Sequence, residues 1–148
     1  PLDGIHHWNR MYGKKGFLQY QCLIPPEVAK EGVREMLSCI SNAQAGSFLA
    51  VLKAFGNKPS IGVLSYPTEG VNLALDFPYQ GEKTYRLFNT LTDIVLQAGG
   101  RIYPAKDAHM SAEAFQTFYP KWKIVEALKD PNISSSFWRR VTGDGVHD

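Results

Sequence analysis

The side chains in this sequence best suited to chemistry are amides and amines on alternating segments, not a nucleophile or a metal cluster. Lys106 stands in Tyr103-Pro104-Ala105-Lys106-Asp107, just past a short strand pattern. There Pro104 restrains the backbone, and a loop held by a sheet can present a charge. Spacing alone favours a solvated lysine paired with Asp107. Gln19, Gln21, Asn72, Asp76 and Lys53 fall at alternate positions of three strand-like segments, so each set projects to one side of a strand. With Leu49, Val51 and Phe55 they mix apolar walls with single polar groups, as ligand-orienting surfaces do. The same alternation fits any half-exposed sheet, and pattern alone does not separate the two.

Other chemistries lack their signatures. His6, His7, His109 and His147 show no HxH or HExxH spacing, so no metal site is expected. Cys22 and Cys39 form no CxxC pair and sit in apolar periodic segments; buried thiols of a cytosolic protein are favoured over a disulfide. No GxGxxG follows a strand, and neither GxxxxGK[ST] nor GxSxG occurs, so dinucleotide, P-loop and serine-hydrolase readings have no motif. Sixteen basic and 14 acidic residues give a net charge of +2 with no basic block. Nucleic-acid binding is not expected, and Trp8, Trp122 and Trp138 read as packing anchors. Apolar stretches are broken within about ten residues, short of the roughly 20 that span a bilayer. No signal peptide is visible, although the chain opens at Pro1 and an earlier segment could have been removed.

The elements that must position these residues follow from periodicity. Phe17 to Ile24 alternates as a strand, with Leu18, Tyr20, Cys22 and Ile24 on one face. Pro25 and Pro26 end it, and a helix follows from about Glu27 to Ser41 along Ala29, Val33, Met36, Leu37 and Ile40. Ser47 to Phe55 reads as a second strand and Gly62 to Tyr66 as a weaker one. Val71 to Phe77 alternates cleanly, followed by a helix from about Glu82 to Ala98 capped by Gly99 and Gly100. Arg101 to Tyr103 is a short strand, and shorter helices fit Ser111 to Phe118 and Lys121 to Lys129. The tail after Pro131 has no defined pattern. This order predicts an α+β domain: an antiparallel sheet with helices packed on one face, ferredoxin-like with an added strand.

Four motifs in order carry a resemblance. Phe17-Leu18-Gln19-Tyr20-Gln21, Lys53-Ala54-Phe55-Gly56, Asn72-Leu73-Ala74-Leu75-Asp76-Phe77-Pro78 and Gly99-Gly100-Arg101-Ile102-Tyr103-Pro104-Ala105-Lys106-Asp107 resemble the C-terminal substrate domain of decaprenylphosphoryl-β-D-ribose oxidase-like, FAD-linked oxidoreductases of the vanillyl-alcohol-oxidase type. The resemblance runs from about Leu2 to Arg140. It implies that residues 1–148 form a C-terminal substrate-binding (cap) domain, with FAD held mainly by a separate N-terminal domain outside this chain. It assigns Gln21, Lys53, Phe55 and Asn72, with Gln19, to the substrate pocket and Lys106 to the essential lysine beside the flavin. Ala74 stands where mycobacterial members have a cysteine, so covalent trapping there by nitroaromatic inhibitors is not expected. The segments Asn57 to Gly62 and from Asn132 onward match poorly.

The implied reaction oxidises a secondary hydroxyl of a sugar or polyol, lipid-linked in some members, by hydride transfer to flavin. Lys106 would serve as base or as electrostatic stabiliser. The fragment alone would be inactive, with its own N-terminal FAD-binding domain as partner. A cytoplasmic location, with peripheral membrane association of the full-length protein, is the matching expectation. Two alternatives remain: the C-terminal domain of a D-arabinono-1,4-lactone oxidase-like enzyme, and a non-catalytic ligand-binding module.

Overall fold

The computed structural model describes residues 6–7, 10, 13–47, 49–107 and 109–143; Trp8 and His147, named above, lie outside them. Strand β1 (Phe17–Ile24) leads through the Pro25-Pro26 turn into α1 (Ala29–Asn42), then β2 (Ala50–Phe55) and β3 (Gly70–Pro78). Helix α2 (Glu82–Gln97), strand β4 (Arg101–Ile102), a 3-10 turn at Pro104–Lys106 and helices α3 (Ala112–Phe118), α4 (Trp122–Leu128) and α5 (Ser136–Thr142) complete the order. The sheet runs β2-β3-β1-β4, with every neighbouring pair antiparallel. That is the βαββαβ arrangement of a ferredoxin-like fold.

Periodicity chooses the faces. Pairing Tyr20 with Leu75 and Cys22 with Leu73 sets one apolar stripe against α1 and α2, where Met36, Leu91 and Val95 are fully buried. The helices sit over β1 and β3 and leave edge strand β2 uncovered, so Leu52 is 60% exposed.

Helix α2 ends in a Schellman motif: Gly100 N–H donates to Val95 O (2.9 Å) and Gly99 N–H to Leu96 O (3.0 Å), with Gly99 at φ 66°. A Cβ on Gly100 would lie 2.3 Å from Leu23 O, so only glycine lets the helix end approach β1 this closely.

Two expectations change. Gly62 to Tyr66 is no strand: Pro59 and Pro67 flank it, Ser65 N–H donates back to Gly62 O in a turn, and the sheet keeps four strands among the described residues. The tail, in turn, contains α5. Its cap is Ser135, whose hydroxyl accepts from Trp138 N–H at 3.1 Å, and Gly143 closes it in the left-handed region at φ 87°. Trp122 and Trp138 pack against the core as anchors. Both cysteines are free; Cys22 is buried and Cys39 half-buried. No helix among the described residues is long and apolar enough to cross a membrane.

Candidate functional site

The register carries one set of polar side chains to the face opposite the helices. Gln19 lies across from Asp76, Gln21 from Ala74 and Leu23 from Asn72, while β2 adds Val51 beside Ala74, Lys53 beside Asn72 and Phe55 beside Gly70. The amides are wired together. Gln19 Nε2 donates to Asp76 Oδ1 at 2.6 Å, and Gln21 Nε2 donates to Asn72 Oδ1 at 2.8 Å, a diagonal cross-strand pair. Tyr66 O–H donates to the same Asn72 oxygen at 2.7 Å.

Asn72 is therefore closed off, 1% exposed, and meets the sheet face only through Gln21. Burying a carboxamide oxygen is tolerable because two donors satisfy it. Burial holds the Tyr66 phenol well above its ordinary pKa, so it remains a neutral donor. Its ring lies 4.6 Å from that of Tyr103 and edge-on to Phe55 at 6.2 Å, making an aromatic wall over this part of the sheet. The turn that replaces the strand expected at Gly62 to Tyr66 puts it there: Arg101 Nη1 donates to Ser65 O at 3.4 Å and fixes the residue before Tyr66.

At the other side of β1 the short β4 matters. Tyr103 N–H donates to Gln21 O at 2.8 Å, and Pro104 then turns the chain away. The β1 edge from Gln21 to Gln19 consequently borders a cavity of about 300 Å³ lined by Gln19, Gln21, Lys106, Asp107 and His109, with helices α2 and α3 behind. Lys106 is exposed, and among the described residues it makes no ion pair. Asp107 faces elsewhere: its Oδ1 accepts from His109 N–H (2.9 Å) and Met110 N–H (2.7 Å), and its Oδ2 accepts from Arg140 Nη2 at 2.5 Å. The Lys106–Asp107 pairing favoured by spacing is thus replaced by an Asp107–Arg140 pair. His109 stacks on Tyr85, with centroids 4.4 Å apart.

The structure brings Gln19, Gln21 and Lys106 to one cavity, and Asn72 joins them through Gln21. Lys53 and Phe55 share the sheet face but lie on β2, two strands from β1 or roughly 10 Å by strand spacing, and do not line that cavity. Tyr66, Tyr103, His109 and Arg140 were not singled out from sequence. Tyr103 was within reach, being three residues beyond the glycine pair at the end of α2. His109 had no spacing signal, and Arg140 acts across 33 positions. Away from the site, burial pushes the Cys22 thiol up to about 12, which makes it unreactive.

No family model matches the chain. Over 146 residues, 95% of its length, it is 38% identical to decaprenylphosphoryl-beta-D-ribose oxidase of Mycolicibacterium smegmatis, of which it covers 31%. Over 145 residues it is 28% identical to an "uncharacterized protein in mprA 5'region" of Streptomyces coelicolor, of which it covers 38%. The chain spans about a third of the length of these curated relatives.

Proposed function

We propose that this chain is the C-terminal, substrate-side part of an FAD-dependent oxidoreductase that oxidises a secondary hydroxyl of a sugar or polyol. The observation that carries the reading is the meeting of Gln19, Gln21 and Lys106 at one cavity on the edge of an amide-rich sheet face. The 38% identity to an oxidase over nearly the whole chain supports it.

The donor set fits a flavin and a polyol. On the sheet face Ala74 and Val51 form a half-buried aliphatic floor between Gln21 and Lys53, suited to a flat ring. Among the strand residues on that face the carboxylate is Asp76, buried and accepting from Gln19, while Asp93 and Glu113 line the adjoining cavity. Gln21 and Lys106 would hold the edge of the ring and the reacting hydroxyl. Bound FAD would supply the acceptor for a hydride.

The chain's own residues do the rest. Gln21, its Nε2 held by Asn72, turns its carbonyl oxygen toward a ligand hydroxyl. Lys106 brings three donors and a positive charge to the place where negative charge develops on the substrate oxygen, and a preorganised cation there lowers the barrier. Gln19 and Asp76 keep that end of β1 rigid. Tyr66, Tyr103 and Phe55 shield the Asn72 end of the face from water.

The isolated chain should fold and carry no flavin, because it has the substrate wall and none of the phosphate-cradling motifs. The check is a visible spectrum after gel filtration in the presence of FAD. A stoichiometric flavin band would overturn the assignment of FAD binding to another part of the protein. Reading the gene upstream of Pro1 is the companion test: an FAD-binding domain in the same frame supports the oxidoreductase, and a start codon directly ahead of this domain supports a stand-alone ligand-binding module.

A further inference from the structure

Lys106 and Asp107 are neighbours in sequence and line the same cavity, yet they do not pair. A flexible four-carbon lysine stem can reach a nearby carboxylate, so what already occupies Asp107 bears on whether the two charges pair. The Asp107 carboxylate is occupied from behind. One oxygen takes the backbone N–H groups of His109 and Met110, the other takes Arg140, and the side chain is only 7% exposed. Arg140 comes from α5, which is firmly seated: Val141 is fully buried, Phe137 and Trp138 meet Phe115 edge-on at 5.7 and 6.1 Å, and Gln116 Nε2 donates to Val141 O. The C-terminal helix therefore delivers a cation to the turn that follows Lys106.

We propose that Asp107 and Arg140 are positioning residues. Asp107 fixes the turn after Lys106, and Arg140 neutralises Asp107 so that the Lys106 ammonium stays available to the cavity. The inference rests on Lys106 being the cation used by the proposed reaction. In Arg140→Gln the Asp107 carboxylate loses its partner and captures Lys106. In the double variant Arg140→Gln with Asp107→Asn, the carboxamide oxygen still accepts the two backbone N–H groups but carries no charge to trap the lysine, so Lys106 is released. A structural role for the pair predicts the opposite order, with the double variant no better than the single one.

Two arms separate this inference from the functional reading. In this chain, lysine-ammonium NMR detects coupling across an ammonium–carboxylate contact, with circular dichroism and melting checking the fold. The contact from Lys106 should be absent in the wild type, present in Arg140→Gln and absent again in the double variant. Absence from Arg140→Gln overturns the clamp whatever the reaction is. In the flavin-containing protein that carries this chain, Arg140→Gln should slow flavin reduction by substrate roughly 10- to 100-fold, as loss of a positioned group does. Arg140→Lys should stay within about 3-fold of wild type and the double variant should recover most of the loss. No recovery in the double variant overturns the proposal even if the contact forms. If Lys106→Ala itself leaves flavin reduction unchanged, the functional reading falls, and the NMR arm still decides whether the clamp exists.

Discussion

The two halves of the candidate site are built on different principles. Gln19, Gln21 and Asn72 ride on paired central strands and are bonded to Asp76, to each other and to Tyr66. Lys106 rides on a 3-10 turn past a two-residue strand, with its ammonium exposed and the neighbouring Asp107 tied to a distant helix. Strand-borne groups are part of what holds the sheet together, so changing them costs stability as well as function. The loop-borne lysine contributes little to the core, so its removal reports function alone. That contrast makes the site separable by mutation.

The largest effect expected lies on the opposite, helix-covered face and sets the frame for the rest. Burial raises the Cys22 thiol to about 12, while an unfolded cysteine ionises near 8.5. A folded-state pKa raised above the unfolded one means that the stabilisation is intact below about pH 8.5 and is lost as pH climbs toward 12. The slope is about 1.4 kcal/mol per pH unit for one group. Tyr20, Tyr66 and Tyr119 are also raised by burial and add to the loss above the ordinary tyrosine range near 10. Urea unfolding at pH 8, 9 and 10 should show the decline starting below pH 10, and Cys22→Ala should delay its onset. An unchanged onset in that variant would mean the thiol is not the first group to titrate.

Next in size, Asn72→Ala should cost about 2 kcal/mol, because it leaves the Gln21 amide and the buried Tyr66 hydroxyl without their acceptor. Denaturant titration measures it. A cost below about 0.5 kcal/mol would show that water replaces the amide freely, and the strand-borne half would then be no more integral than the loop. Lys106→Ala is the counterpart at the small end: its unfolding free energy should stay within about 0.5 kcal/mol of wild type. A larger loss would erase the contrast between the halves.

What was readable in the sequence tracks the range of the forces involved. Period-2 alternation put Gln21, Lys53 and Asn72 on one face and the stripe from Tyr20 to Ile24 under the helices, because a strand can turn its residues only two ways. The glycine pair after α2 announced its own cap. Gly62 to Tyr66 turns rather than pairing as an added strand because five residues of weak alternation do not outweigh flanking prolines. The short C-terminal helix was missed although Ser135, Gly143 and the Phe137/Val141 spacing mark it. The resemblance assigns Asn72 to the substrate pocket, and nothing local says that Tyr66 folds over it. The Arg140–Asp107 pair joins residues 33 positions apart, and only tertiary packing of α5 on α3 brings them together.

The most direct test of the account is anaerobic stopped-flow reduction of the flavin by substrate in the flavin-containing protein that carries this chain, comparing wild type with Lys106→Ala. The rate should fall by roughly 10²- to 10³-fold, as for loss of one preorganised electrostatic contact, with flavin content and melting temperature retained. A variant that reduces its flavin at close to the wild-type rate would contradict it and return Lys106 to the status of an ordinary surface lysine.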